Sequence, residues 1–303
     1  MKHLAMRAIA AAVVVLACGP GAADAARSKG KIAYLNRLEV RAVSSDGKID
    51  KRFAPLRSGA QSGPLWSPDG RRVLFHRDDP HALVTVTPGK GRWNVLYEGQ
   101  HDVLEAPADY AWSPNGRMIA YTRGVLPAGD FALRTGVFVM QADGSGKREL
   151  PVGDRAGGLN WLPDNRRIAF GRAEGEGVAM WTIDIVTGAQ VKLFDIALTD
   201  GSFRLSPDGR SFVFDRFTGS AQLWVMRLDG SGARAVVKRP GAFGASWSPD
   251  GRELAFVIQK SRGAPSDIYK VRRDGSGLKR LTKHGKAQAP HWGRGKLSKR
   301  GRL

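Results

Sequence analysis

Residues His76-Arg77-Asp78-Asp79-Pro80-His81 place two imidazoles and two carboxylates within one short segment, the best cluster of metal-ligand types in the sequence. Groups of this kind can hold a divalent ion. In a segment running from a strand into a loop they more often point apart into solvent, so no metal site is expected here. The other histidines that follow, His101, His284 and His291, are scattered along the chain. Covalent catalysis lacks its parts: the sequence contains no Gly-x-Ser-x-Gly elbow, no His-Glu-x-x-His and no cysteine pair. No catalytic residue is assigned, and the chain is expected not to be an enzyme.

These side chains must be positioned by a repeat. Trp66-Ser67-Pro68-Asp69-Gly70-Arg71 returns as Trp112-Ser113-Pro114-Asn115-Gly116-Arg117 and Trp161-Leu162-Pro163-Asp164-Asn165-Arg166. It returns again as Leu205-Ser206-Pro207-Asp208-Gly209-Arg210 and Trp247-Ser248-Pro249-Asp250-Gly251-Arg252, with a truncated copy at His291-Trp292-Gly293. The copies are 42 to 49 residues apart, the length of one propeller blade. Pro presets φ at the second position of a tight turn, and Gly or Asn accepts positive φ at the fourth. The preceding Trp is a large apolar plate suited to burial between blades.

Each turn leads into a short strand that is apolar on both faces: Val73-Leu74-Phe75, Ile119-Ala120-Tyr121, Ile168-Ala169-Phe170, Phe212-Val213-Phe214 and Leu254-Ala255-Phe256. That pattern fits a strand with a sheet packed above and another below. An alternating strand follows, then an Asp-Gly-Ser-Gly hairpin signal at Asp143, Asp229 and Asp274, then a charged edge strand. The unit is a four-stranded antiparallel meander. Lys31-Ile32-Ala33-Tyr34-Leu35 resembles the post-turn strand without its turn, and His291-Trp292-Gly293 has the turn strand without a successor. Joined, they complete one blade. The expected fold is all-β: a six-bladed β-propeller over residues 31–293, closed by strands from both termini.

Residues 1–25 read as a secretory signal peptide, with Lys2 and Arg7, an apolar run from Ala8 to Ala17, and Ala23-Asp24-Ala25 for cleavage. Cys18, the sole cysteine, lies in a lipobox-like string, which offers a lipid anchor as the alternative. The chain is therefore expected outside the cytoplasm, secreted, periplasmic or lipid-anchored, and as a monomer. The formal charge is +20, and residues 294–303 form a basic tail. So large a surplus attracts polyanions without specifying which. Nucleic acid is not expected as a partner of an exported chain.

Meander geometry sorts the connections onto two faces. The turn face carries the motif arginines. The loop face carries variable connections that mix acids with apolar tips, and its expected partner-binding residues are Asp109, Phe131, Asp200 and Phe243, together with His291 on an innermost strand. No cofactor is required, although Asp109 and Asp200, just before innermost strands, could bind Ca²⁺ if they faced the channel.

With the turn, strand and hairpin signals taken together, the sequence resembles the propeller repeat of the TolB family. The resemblance spans residues 31–293. It implies an envelope binding scaffold whose partner, in that family a peptidoglycan-associated lipoprotein, contacts one mouth of the ring. The N-terminal α/β domain of that family is not expected in this chain. Similar repeats occur in propellers of prolyl-oligopeptidase-like peptidases and of some sugar lyases. The expected function is a non-enzymatic scaffold engaging an envelope protein or anionic wall polymer. The alternatives are a propeller hydrolase or lyase acting on wall sugars or peptides, and an electrostatic polyanion binder.

Overall fold

The computed structural model describes residues 30–37, 39–55, 63–78, 81–88, 92–99, 109–125 and 134–297. The strands form six separate four-stranded antiparallel sheets, the blades of a propeller. Blade 1 runs from Ala287–Gly293 at the axis through Lys31–Asn36 and Glu39–Ser44 to Asp50–Pro55. Blade 2 comprises Leu65–Trp66, Val73–Asp78, His81–Thr87 and Arg92–Glu98. Blade 3 comprises Tyr110–Trp112, Met118–Val125, Arg134–Gln141 and Arg148–Leu150. Blade 4 follows with Ala156–Trp161, Arg167–Glu174, Gly177–Asp184 and Gln190–Ile196. Blade 5 is Asp200–Leu205, Ser211–Phe217, Ala221–Arg227 and Arg234–Val237, and blade 6 is Ala242–Trp247, Glu253–Gln259, Ser266–Arg272 and Lys279–Arg280.

The motif turns form as their residues dictate. In blade 2 the Gly70 N–H donates to the Ser67 carbonyl at 2.8 Å, and the Ser67 hydroxyl accepts the Arg72 N–H at 2.9 Å. Asp69 accepts the Arg71 N–H at 2.9 Å, which closes the turn from its other side. Gly70, Gly116, Gly209 and Gly251 have φ of 69° to 70°, and Asn165 takes 58° at the same position. That is the left-handed region where a missing side chain, or asparagine, is tolerated.

The post-turn strands are fully buried, Val73, Leu74 and Phe75 among them, because each is sandwiched by two neighbours. Trp66, Trp112, Trp161, Trp247 and Trp292 are buried too, each in a cluster combining residues of its own blade with those of an adjacent one. Trp66, for example, packs with Ala33, Leu35, Val40 and Ala42 of blade 1 and with Val73 and Phe75 of its own blade. Burying one such plate removes roughly 150–250 Å² from water, which stabilises by about 4–6 kcal/mol at about 25 cal/mol/Å².

The ring closes through blade 1, where Lys31 pairs with Gly293, Ile32 with Trp292 and Ala33 with His291. Beyond that strand the chain continues to pack: Leu297 is buried in the cluster between blades 1 and 2.

One regularity was not anticipated. Gly158, Ser202, Gly244 and Ala289 each sit three residues before the motif aromatic or its leucine substitute, and all have φ between 49° and 68°. The ladder shifts register at the same place in blades 1, 4, 5 and 6. Four innermost strands thus carry a β-bulge at one repeat position, a device that re-aims the next side chains.

Candidate functional site

The innermost strands converge on an axial cavity of about 290 Å³, open at the turn face and walled by residues from all six blades. The residue preceding the motif aromatic lines it in every copy: Leu65, Ala111, Asn160, Arg204, Ser246 and His291. Three of these stitch one blade to the next. Asn160 Oδ1 accepts the Leu205 N–H at 2.9 Å, Ser246 Oγ accepts the Trp292 N–H at 2.9 Å, and His291 Nδ1 accepts the Trp66 N–H at 3.1 Å. Two motif indoles reinforce the ring, Trp161 donating to the Ala111 carbonyl at 3.2 Å and Trp247 to the Arg204 carbonyl at 3.0 Å.

Because Nδ1 of His291 accepts, its proton resides on Nε2. Burial, and then the charge of Arg204, hold this imidazole down to about 4, so it is neutral at physiological pH. His291, which the sequence places on an innermost strand, lines the channel, and its Nδ1 is engaged there in a hydrogen bond that joins two blades.

The remaining expected site residues take other positions. Asp109 Oδ2 accepts the Leu159 N–H of the next blade at 2.6 Å, and its Oδ1 accepts the Tyr110 N–H at 3.0 Å. Asp200 is gripped from both oxygens by Arg216, at 2.7 and 2.6 Å, with its side chain only 6% exposed. Neither carboxylate lines the axial cavity, so the premise of a channel Ca²⁺ site built on this pair is not met. Phe243 is not a loop tip: it pairs with Val257 within its blade and packs against the core between blades 6 and 1. Phe131 lies outside the described residues.

His76 and His81 stack with ring centroids 5.5 Å apart. No group of three or more histidine, cysteine or acidic side chains placed to hold a metal occurs among the described residues.

Part of the positive surplus is structural. Lys31 lies 3.9 Å over the Trp66 ring, Arg72 4.9 Å over Trp112 and Arg273 5.4 Å over Trp247. These cations cover the motif aromatics. Charge counting along the sequence does not separate them from cations free to meet a polyanion.

The response to acid follows from three buried groups. His76 is held down to about 4 by burial and by His81, as His291 is by its own surroundings. Burial pushes Asp215 up to about 6, against the opposing pull of the Gly244 N–H, Ser202 and Arg204. Between their ordinary value of 6.5 and about 4, unfolded histidines bind protons that the native ones refuse, so stability falls as pH drops. Between about 6 and its ordinary 3.8, native Asp215 keeps a proton that the unfolded chain releases, so its contribution rises as pH drops. Two histidines outweigh one aspartate. Melting temperature measured by calorimetry should fall from pH 6.5 towards 4, more steeply in Asp215→Asn and less steeply in His291→Gln.

The fold corresponds to a known architecture. A family model for the TolB β-propeller domain matches residues 137–297, more than half of the chain. The chain belongs to that family. A Tol-Pal system protein TolB from Anaeromyxobacter dehalogenans is 34% identical over 92 residues, covering 29% of this chain and 21% of the relative. The chain thus spans about a fifth of that TolB relative's length. An uncharacterized peptidase, YuxL of Bacillus subtilis, is 28% identical over 147 residues, 40% of this chain and 22% of its own. The crystal structure of TolB from Acinetobacter baumannii superposes with a TM-score of 0.72 over 87% of this chain and 66% of the other. At 16% identity that likeness concerns the fold, and it places this TolB-family chain in the same six-bladed architecture.

Proposed function

We propose that this TolB-family propeller is an extracytoplasmic, non-enzymatic scaffold that captures an envelope protein on its loop face. The observation that carries the reading is an apolar patch there, on blades 4 and 5. Leu198 is 84% exposed and Phe217 53%, and the Phe217 N–H donates to the carbonyl of Thr199, the residue after Leu198. Val178, also exposed, pairs with Ile196 two residues before Leu198. Large apolar side chains gathered on one face of a soluble ring mark an interaction surface. In the channel, by contrast, Asn160, Ser246 and His291 each accept a hydrogen bond that joins two blades. The match to a Tol-Pal system protein supports a partner of the envelope protein class.

The test is saturable binding of the full chain to a purified peptidoglycan-associated lipoprotein and, separately, to purified sacculi. Leu198→Asp and Phe217→Asp should each weaken protein capture about tenfold, the effect of losing one buried interface anchor, while leaving the melting temperature unchanged. Capture that ignores both substitutions would refute the loop-face assignment. The +20 charge favours a second reading, an anionic wall polymer as ligand. Sacculus binding that collapses at raised salt is its signature.

A further inference from the structure

The axial cavity contains chemistry that the joining of blades does not use. Arg204 stands where Asn160, Ser246 and His291 offer an acceptor to the next blade, and a guanidinium has none to offer. Among the described residues the guanidinium's only hydrogen bond is to the Phe203 carbonyl at 3.1 Å, and no carboxylate of those residues forms an ion pair with it. Asp215, whose charge it feels, is turned instead to the Gly244 N–H at 3.0 and 3.1 Å. Arg294 lines the same cavity, and among the described residues no aspartate or glutamate does.

Donors follow one another along one arc of the wall. Beside Arg204 comes the Ser246 hydroxyl, which has accepted from Trp292 and still has its own proton to give. Next comes His291, whose Nε2 holds the proton because Nδ1 is the acceptor. The opposite arc is apolar, with Leu65 and Ala111. We propose that this cavity is a carboxylate-binding site, Arg204 taking the anion with Ser246 and His291 as further donors while Leu65 and Ala111 receive an apolar group beside it. A planar guanidinium matches a carboxylate with two parallel hydrogen bonds. The volume lies near the lower end of ligand pockets, roughly 300–1,000 Å³, so the occupant is a small apolar carboxylate or the C-terminal residue of a peptide.

Trp66, Trp112, Trp161, Trp247 and Trp292 line the same cavity, so tryptophan fluorescence reports occupancy directly. The full chain is titrated with isovalerate, with a leucine-terminated tripeptide acid and with the same peptide as its C-terminal amide. Saturable fluorescence changes with a carboxylate are expected, the amide binding at least about tenfold more weakly, because a charge-assisted hydrogen bond is lost. Response to isovalerate assigns a small carboxylate, and response to the peptide acid alone assigns a chain terminus. Arg204→Met should abolish both responses. Equal binding of acid and amide, no response to either carboxylate, or undiminished binding in a folded Arg204→Met chain would overturn the proposal. The acid–amide comparison needs no variant. Leu198→Asp should leave carboxylate binding intact, which separates this site from the loop-face reading.

Discussion

A chain ending at Gln288 is expected to lose its cooperative melt and to elute as soluble aggregates rather than as a monomer. The deletion removes most of the closing strand of blade 1, Ala287–Gly293. With it go the pairings of Lys31 with Gly293, Ile32 with Trp292 and Ala33 with His291, which leaves the first half of the strand Lys31–Asn36 as an open edge. Trp292 leaves the core between blades 6 and 1, and Leu297 leaves the one between blades 1 and 2, so both junctions flanking the blade are damaged. The acceptor that His291 gives to the Trp66 N–H disappears, as does the donor that Trp292 gives to Ser246. Removing a buried Trp side chain alone costs about 3–5 kcal/mol, and each lost hydrogen bond about 0.5–1.5 kcal/mol. Native stability is about 5–15 kcal/mol in total. The sum is large enough to unfold the ring, and an unpaired edge strand offers a template for aggregation. Light scattering after size exclusion, with a thermal melt, decides the matter. A monomer melting at the temperature of the full chain would show that closure does not hold this ring together.

That closing strand was legible because it falls on the repeat. So were the turn glycines, the Trp plates and the doubly buried strands, whose residue types recur at every copy and are set by local geometry or by burial between sheets. The axial site was legible only in part. Its wall is built from the one motif position that does not repeat, Leu65, Ala111, Asn160, Arg204, Ser246 and His291, and only Asn160, Ser246 and His291 there join their side chains to the next blade. Of these, the sequence singled out only His291. The bulges were half-visible: Gly158 and Gly244 mark the position, but Ser202 and Ala289 occupy it at the same positive φ and hide the pattern. Phe243 was misplaced as a loop tip for a related reason, since the strand begins before the bulge that precedes its motif.

The bulge in blade 5 also decides the last prediction. Leu205 pairs with Phe212 and Arg204 with Val213, a register that, continued unbroken, would set Asp200 opposite Phe217. The shift between Gly201 and Arg204 sets it opposite Arg216 instead, and the pair closes with two hydrogen bonds. Arg216 in turn lies 4.4 Å over the Trp224 ring and 5.2 Å over Phe214, which holds the guanidinium against the blade. Arg216→Met keeps most of the apolar contact and removes the charge. It leaves a carboxylate that is only 6% exposed without its partner. An uncompensated buried charge costs about 3–5 kcal/mol, and at the low end of that range the melting temperature should fall by roughly 6 °C or more in a domain of this size. Asp200→Asn in the Arg216→Met background removes the orphaned charge and should recover most of the loss, whereas Asp200→Asn alone leaves a guanidinium that water and two aromatic faces still accommodate. The order of melting temperatures is therefore wild type, Asp200→Asn, the double variant, then Arg216→Met. If the double variant melted below Arg216→Met, the carboxylate would be stabilised by something other than this arginine, and the pair would not be what holds Asp200 in the blade.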